Sequence, residues 1–397
     1  MTPKRILILT FALVLFPWAG SLEASQIFQM DDPQGDDFGA GDLVYPNRPD
    51  FEPGSLDLEY LSARAGDGGT WFRARMGRPI QSPVGRVGNV GAEPLHTLAR
   101  NGFYTFNIDI YVDIDRVAGS GRTDTLPGRL VNVHRDTAWE KAVILTPRPQ
   151  VARAWYAMHL VDVYEAELRA ERGRVDREDL AAIEARVGED IARQFFFPDR
   201  VRVRGREIDF FVPDEFFGGP ASKDWAYTVL VTGADIEQAG RVLNISPGAF
   251  SLMAMQLAPG RATDRFGIIN RGDINQPPVI DVLAPTIEAQ RQALADYDAV
   301  APRLAAIQGV SPAGRASVAG SAVPTPAPGT AAPKASSPVA PAVPPAQAAP
   351  LEPAGTPLPG GRRSVPERLR TLNALREEGL ITETEYQQLR RRILSEL

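Results

Sequence analysis

The sequence predicts a mainly β protein, in which an antiparallel β-sandwich with an inserted helical segment precedes a disordered Pro/Ala-rich linker and a C-terminal helical hairpin. Three observations predict this class. Residues 103–114 alternate apolar and polar side chains with a period of two, as a strand with one buried face does. Residues 149–194 change to helical spacing. Residues 309–363 consist mostly of Pro, Ala, Ser, Gly and Thr.

Composition excludes several classes of protein. The 397 residues are 44% hydrophobic and 23% charged, which is typical of a globular chain of two or three domains. The absence of Cys excludes disulfides, Cys zinc sites, iron–sulfur clusters and a Cys nucleophile, and three His make a His-rich metal site a poor expectation. The net charge is −6, and its acidic excess lies in residues 25–308. An acidic body repels phosphate, so we expect no nucleic-acid partner.

Residues 1–24 have the pattern of a signal peptide. Lys4 and Arg5 precede an apolar run over residues 6–16, and a small-residue cleavage site precedes Ser25. The sequence therefore predicts an exported protein, either periplasmic or at the cell surface or secreted. The run is short for a bilayer span of about 20 residues, so we expect membrane attachment only if this segment stays uncleaved.

The body, residues 25–308, contains several further strand-like runs. In the long strand, Phe106, Ile108 and Ile110 fall on the face predicted to be buried. The other runs cover residues 56–63, 70–76, 139–145, 201–212 with a break at 204–205, and 226–232. Two packed antiparallel sheets accommodate so many strands separated by Gly/Pro turns.

Two predicted helices interrupt the strands over about residues 149–194, and a third, over about residues 286–308, closes the body. Asp176 provides a capping carboxylate at the start of the second inserted helix.

The end of the chain combines a tether with a small helical unit. The prolines of residues 309–363 favour extended, solvated chain. In residues 364–397, Ser364 with Glu367 and Thr382 with Glu385 fit capping boxes at the starts of two helices. Thirty-odd residues bury a marginal core, so we expect this hairpin to self-associate or to bind a protein partner.

Two acidic loops are candidate metal sites. In the first, carboxylates lie near glycines that permit tight turns, which suits the oxygen ligands of calcium, and a solvated acidic loop is the alternative. Its candidate ligands are Asp32, Asp36, Asp37 and Asp57. The second, weaker candidate site consists of Asp113, Asp115 and Asp124, for which turn-capping Asp residues are the alternative.

Tryptophan rings are the candidate platforms for sugar rings. The candidates are Trp71, Trp139, Trp155 and Trp225. A core position is the alternative for each of them.

An ordered series of motifs resembles the glucodextranase C-terminal-like domain, a module related to DOMON and family 9 carbohydrate-binding folds. The motifs are DDPQGDDFGAGDLVYP, FEPGSLDLEYL, IDIYVDIDRVAGSGRTDTLPG, AWEKAVIL, DWAYTVLVTG and PPVIDVL, and they extend over residues 26–285. The resemblance implies a β-sandwich that binds sugar or a cell-envelope component and holds calcium at the acidic motifs. Residues 149–194 depart from the family pattern, and the glycosidase domain of glucodextranases is absent from this sequence.

The segment LNALREEGLITETEYQQLRRRIL near the C-terminus resembles the SHOCT domain, which implies oligomerisation or interaction.

Motifs of enzymes are missing from the sequence: it has no G-x-S-x-G, H-E-x-x-H, Walker or strand-linked G-x-G-x-x-G motif. We therefore expect an exported, non-catalytic envelope protein whose sandwich, stabilised by calcium, binds carbohydrate or a surface component. One alternative is an envelope assembly protein whose sandwich binds protein. A lesser alternative is a DOMON-type haem or redox protein, with ligands drawn from Met76 and the three His.

Overall fold

A computed structural model describes residues 25–84, 89–90, 93–236, 252–260, 264–268 and 275–314, together with Arg390. The chain is mainly β over these residues. The strands are β1 (Gln26–Asp31), β2 (Leu43–Val44), β3 (Leu58–Gly66), β4 (Gly69–Met76), β5 (Asn89–Val90), β6 (Glu93–Pro94), β7 (Phe106–Asp113), β8 (Val131–Val133), β9 (Lys141–Leu145), β10 (Phe195–Phe196), β11 (Val201–Arg204), β12 (Glu207–Pro213), β13 (Ala226–Gly233), β14 (Ala258–Pro259), β15 (Gly267–Ile268), β16 (Val279–Val282) and β17 (Ala305–Ile307). The helices are α1 (Leu95–Leu98), α2 (Pro149–Arg172), α3 (Arg177–Gln194), α4 (Asp214–Phe217) and α5 (Ile287–Ala295), with a 3₁₀ turn at Arg135–Thr137.

Two five-stranded sheets form the body. The first has the order β1-β3-β4-β12-β11, and all its neighbours are antiparallel. The second has the order β10-β9-β7-β13-β16, with a parallel pair only between β10 and β9. Apolar side chains from both sheets form one core, among them Leu61, Phe72, Phe210, Ile110 and Val229. The prediction of a mainly β body with antiparallel sheets is confirmed.

The second sheet is buried on both faces, which corrects the expectation of one buried face for the long strand. Every residue of β7 is buried. On the face opposite the shared core, Tyr111 packs in a second cluster with Trp139 and with residues of α2 and α3. The polar members of this strand that look solvent-facing in sequence are covered. One of these residues is Asp109, and Arg129 compensates its buried negative charge: the guanidinium Nε donates to the carboxylate at 2.6 Å.

The inserted helices occupy the predicted segment. Asp176 accepts hydrogen bonds from the backbone N–H groups of Glu178 and Asp179 in a capping box at the start of α3. The apolar stripe Ile183, Val187 and Ile191 of that helix is buried.

The closing helix is shorter than predicted. It begins after the capping Thr286 as expected but ends at Ala295, not near residue 308. Residues 305–307 instead form β17, which pairs in parallel with β8. Val310 then exchanges both backbone hydrogen bonds with Tyr227, so the folded body continues past residue 308.

Several sequence expectations fall outside the described residues. These are the signal peptide at 1–24, most of the linker at 309–363 and the hairpin at 364–397. Within the described part of the chain, no helix is both long and apolar enough to span a membrane.

Candidate functional site

Three carboxylates converge where the start of the body meets its end. Asp32 and Asp36 lie on the loop after β1, and Asp281 lies within β16. One oxygen from each lies within 4.8 Å of the others. The residues are 7%, 2% and 0% exposed, respectively. We call this group the acidic centre.

Backbone N–H groups hold two of these carboxylates in place. Asp281 accepts from the N–H of Leu58 at 2.6 Å and from the N–H of Val282 at 2.8 Å. Asp32 accepts through Oδ1 from the N–H of Ala284 at 2.8 Å. The acidic centre therefore joins segments about 250 residues apart in sequence.

Gln290 of α5 extends the same connection. Its amide nitrogen donates to the backbone carbonyl of Asp36, and its Oε1 accepts from the N–H of Val282 at 2.7 Å. The side chain is fully buried. The short closing helix thereby fixes the acidic loop against β16.

Several oxygens at this position are buried without a hydrogen-bond partner among the described residues. They are Oδ2 of Asp32, both carboxylate oxygens of Asp36 and Oδ1 of Asp37. Buried polar groups in folded proteins nearly always have partners, and an ionised carboxylate without one is costly. A retained proton or a bound cation would each remove this cost.

The electrostatics agree with the geometry. Burial, with the neighbouring charges of Asp36 and Asp57, raises the pKa of Asp32 to about 9. Burial and the charge of Asp57 raise the pKa of Asp36 to about 7, although Arg291 acts in the opposite direction. Burial raises the pKa of Asp281 well above its ordinary value. Without a cation, these groups retain protons that a positive charge would displace.

The other two candidate ligands of the first loop flank the acidic centre. Asp57 accepts from the N–H of Gly35 at 3.0 Å, and its charge acts on Asp36. Asp37 accepts from the Tyr45 hydroxyl and, at 2.7 Å, from the N–H of Gly54. Burial raises the pKa of both carboxyl groups. These two residues mainly shape the loop, while Asp32, Asp36 and Asp281 form the compact group.

Gly39 shows why this loop needs glycine. Its φ of +60° lies in the left-handed region. A Cβ there would lie 2.7 Å from Cδ1 of Leu43 and 3.0 Å from the carbonyl oxygen of Val279. The loop can therefore pack closely against the first residue of β16, two residues before Asp281.

The second acidic group has a different membership from the predicted one. Asp113 and Asp115 lie within 4.8 Å of Glu140, and Asp124 instead pairs with Arg122. Burial, followed by the charges of Asp115 and Asp113, raises the pKa of Glu140 to about 7. Here, however, the chain supplies a cation of its own, because Arg116 Nη1 lies 3.0 Å from Asp113.

The structure separates the four candidate tryptophans. Trp139 and Trp155 are buried in the second core cluster, which corrects their interpretation as sugar platforms because neither ring has a free face. Trp225 is half-buried, beside Phe217 at 5.3 Å between ring centroids. Trp71 lies on the outer face of the first sheet, where arginines cover it.

Two site residues were missed in the sequence analysis. Asp281 and Glu140 lie in two motifs of the family resemblance, PPVIDVL and AWEKAVIL. The available signal was a lone carboxylate in a run apolar enough to be buried on both faces, since such a group requires a partner.

Comparison with protein families identifies a binding module. A family model described as the C-terminal binding module, SLH-like, of glucodextranase matches residues 27–309. No curated protein sequence matches the chain. The matched range includes both acidic groups and the two inserted helices.

Proposed function

Because the chain belongs to the family of C-terminal, SLH-like binding modules of glucodextranase, we propose that it is an exported, non-catalytic protein that binds carbohydrate of the cell envelope. The observation that carries this proposal is the match over residues 27–309, which is to a binding module and not to a catalytic domain. The acidic centre itself is unsuited to glycoside hydrolysis, because a glycosidase needs two carboxyl groups in contact with the substrate and Asp36 is only 2% exposed.

We further propose that calcium stabilises the module at the acidic centre. Calcium takes six to eight oxygen ligands, and the unpartnered oxygens of Asp32 and Asp36 are donors of this kind. Asp281 would add a ligand from the opposite end of the module. The role of the ion is structural: its charge offsets the repulsion among the buried carboxylates. We make no such proposal for the second acidic group, where Arg116 already contacts Asp113.

The remaining expectations complete the proposal. Residues 1–24 direct export, residues 309–363 act as a tether, and residues 364–397 associate with one another or with a partner protein. The signal-peptide pattern, the proline-rich composition and the capping boxes support these three roles. In this arrangement the sandwich binds the glycan, and the tail gathers several sandwiches on one polymer, which raises avidity without new contacts.

The experiment is a binding screen of the full chain against an array of neutral glycans, acidic glycans and cell-envelope polysaccharides, in calcium and in EGTA. We expect retention on at least one saccharide class, weaker binding in EGTA, and no release of reducing ends from the bound polymer. Binding of no saccharide on the array would contradict the proposal and favour the assembly role. Release of reducing ends would contradict the non-catalytic assignment.

A further inference from the structure

We propose that a cluster of arginines on the outer face of the first sheet binds the carboxylate groups of an acidic polysaccharide. The cluster consists of Arg64, Arg200 and Arg202 around the rings of Trp71 and Phe211, and we call it the arginine platform. The inference rests on the proposed function, since it names the chemical class of the carbohydrate.

The platform is a row of side chains across the sheet. Arg64 of β3 lies opposite Trp71 of β4, and Trp71 lies opposite Phe211 of β12. The backbone N–H of Phe211 then donates to the carbonyl of Arg200 at 3.2 Å. The two ring centroids are 5.3 Å apart. Arg202 joins the row from β11.

Each guanidinium lies over a ring. The Cζ atoms of Arg64, Arg200 and Arg202 are 5.4, 5.4 and 4.7 Å from the Trp71 ring centroid, and that of Arg200 is also 4.1 Å from the Phe211 centroid. A guanidinium held over an aromatic ring keeps N–H groups at its edge free to donate. Arg200 and Arg202 are exposed and Arg64 is half-buried, so ligand oxygens can approach them.

The two rings are held by the β3–β4 hairpin. A Cβ on Gly66 would lie 2.7 Å from Cδ1 of Trp71, and a Cβ on Gly69 would lie 2.4 Å from Cζ of Phe211. Both rings therefore lie against hairpin backbone that glycine leaves open. The rings are 8% and 7% exposed, which makes them supports for the guanidinium groups and not sugar-stacking faces themselves.

Other arginines on or beside the first sheet form ion pairs, and the arginines of the platform do not. Arg73 contacts Asp209 at 2.6 Å, Arg75 contacts Glu59 at 2.8 Å, and Arg206 also contacts Glu59. Across the part of the chain that the structure describes, no salt bridge involves Arg64, Arg200 or Arg202. Three guanidinium groups thus surround one ring without an ion pair among the described residues, and the nearest carboxylate across the sheet, Asp209 opposite Arg202, is already held by Arg73.

The ligand chemistry follows from these donors. Arginine matches a carboxylate through two parallel N–H donors, and such charge-assisted bonds are among the stronger ones in proteins. A row of three guanidinium groups suits carboxylates repeated along a chain, as on the uronic acid units of a polysaccharide. Sugar hydroxyls between the carboxylates would accept from the remaining N–H groups.

The test uses the full chain and three polymers. Polygalacturonate carries sugar and charge, fully methyl-esterified polygalacturonate carries the same sugar backbone without charge, and poly-L-glutamate carries charge without sugar. We expect polygalacturonate to bind most tightly, with an affinity that falls as salt rises. Equal binding of poly-L-glutamate would overturn the saccharide assignment.

Variants locate the binding at the platform. We expect Arg202→Gln to weaken polygalacturonate binding by about tenfold, because one charge-assisted bond is lost. Arg202→Lys should also weaken it several-fold, since lysine keeps the charge but not the paired donors. Arg153→Gln removes the same charge from an exposed position on α2 and should bind like wild type. Thermal unfolding checks that each variant is folded.

Two failures are distinguishable. Binding of a neutral glycan that Arg64→Gln, Arg200→Gln and Arg202→Gln all leave unchanged would overturn the arginine platform and leave the proposed function standing. Binding of no saccharide on the array would overturn both. Equal loss with Arg153→Gln would also overturn the platform, because net charge alone would then explain the binding.

Discussion

Asp36 is the residue whose removal should have opposite effects with and without metal. Both of its carboxylate oxygens are buried without partners. In EGTA, at a pH above the pKa of about 7 that burial gives Asp36, Asp36→Asn removes a charge from a repelling group, so we expect a melting temperature equal to or above that of wild type. In calcium, the variant should lose much of the stabilisation, which amounts to about 2.7 kcal/mol at a concentration 100 times the dissociation constant.

The control for this variant is Asp67→Asn, at an exposed position in the β3–β4 hairpin. Thermal unfolding of the three proteins in calcium and in EGTA makes the comparison. A melting temperature for Asp36→Asn below that of wild type in EGTA would show that the carboxylate stabilises the fold without an ion, contrary to our account.

The same residues predict an unusual pH dependence for the metal-free protein. The pKa values of Asp32 and Asp36 in the folded state, about 9 and about 7, lie above the unfolded value of 3.8. The folded chain then binds more protons than the unfolded chain, so this contribution to stability is complete below 3.8 and is lost as pH rises through about 7 and about 9.

Urea unfolding in EGTA across that range measures the effect. The free energy of unfolding should decline with pH in wild type, and it should decline less steeply in Asp36→Asn. Saturating calcium should flatten the wild-type curve, because the ion replaces the protons. Identical slopes for the two proteins in EGTA would mean that these carboxyl groups do not titrate as described.

At the scale of elements, α3 should contribute to the stability of the sandwich. Ile191 is 2% exposed and belongs to the cluster that covers the second sheet. We expect Ile191→Ala to lower the free energy of unfolding by about 2–4 kcal/mol, and the protein to unfold in a single transition. Glu189→Ala, exposed on the same helix, should be nearly neutral. A separate early transition in Ile191→Ala would show that the insertion folds independently.

Sequence patterns correctly predicted the helices and turns that are determined by neighbouring residues. The helical spacing and the capping Asp176 placed α2 and α3 correctly, and the predicted break at residues 204–205 coincides with the end of β11 at Arg204 and the turn that leads to β12. The predicted end of the closing helix was wrong because strand pairing distant in sequence determines where that helix ends. After Ala295, residues 305–307 pair with β8, a partner that no local pattern reveals.

Only part of the acidic centre could be predicted, because one of its three carboxylates comes from a distant part of the sequence. Asp32 and Asp36 stand in a dense acidic loop with glycines, which is a signal in sequence. Asp281 is about 250 residues away, and only the packing of β16 beside the loop brings it there. The buried outer face of β7 was missed likewise, since the helices that cover it are an insertion from elsewhere in the chain.

For the whole molecule, we expect the segment that folds as the body to differ from the segment that drives association. A protein ending at residue 314 retains the described body, and one ending at 397 adds the predicted linker and hairpin. We expect the shorter protein to be monomeric with an unchanged melting temperature, and the longer one to sediment as an oligomer. The two proteins sedimenting with the same number of chains per particle would contradict the proposed role of the tail.

The central claim is that one cation occupies the acidic centre and stabilises the module. Equilibrium dialysis of EGTA-treated full chain against calcium, with the bound metal counted per chain, tests it most directly. We expect about one tightly held ion for wild type and far less bound calcium for Asp281→Asn, which keeps a neutral amide oxygen but loses the negative charge contributed by β16. Equal calcium content in the two proteins, or none in wild type, would contradict it.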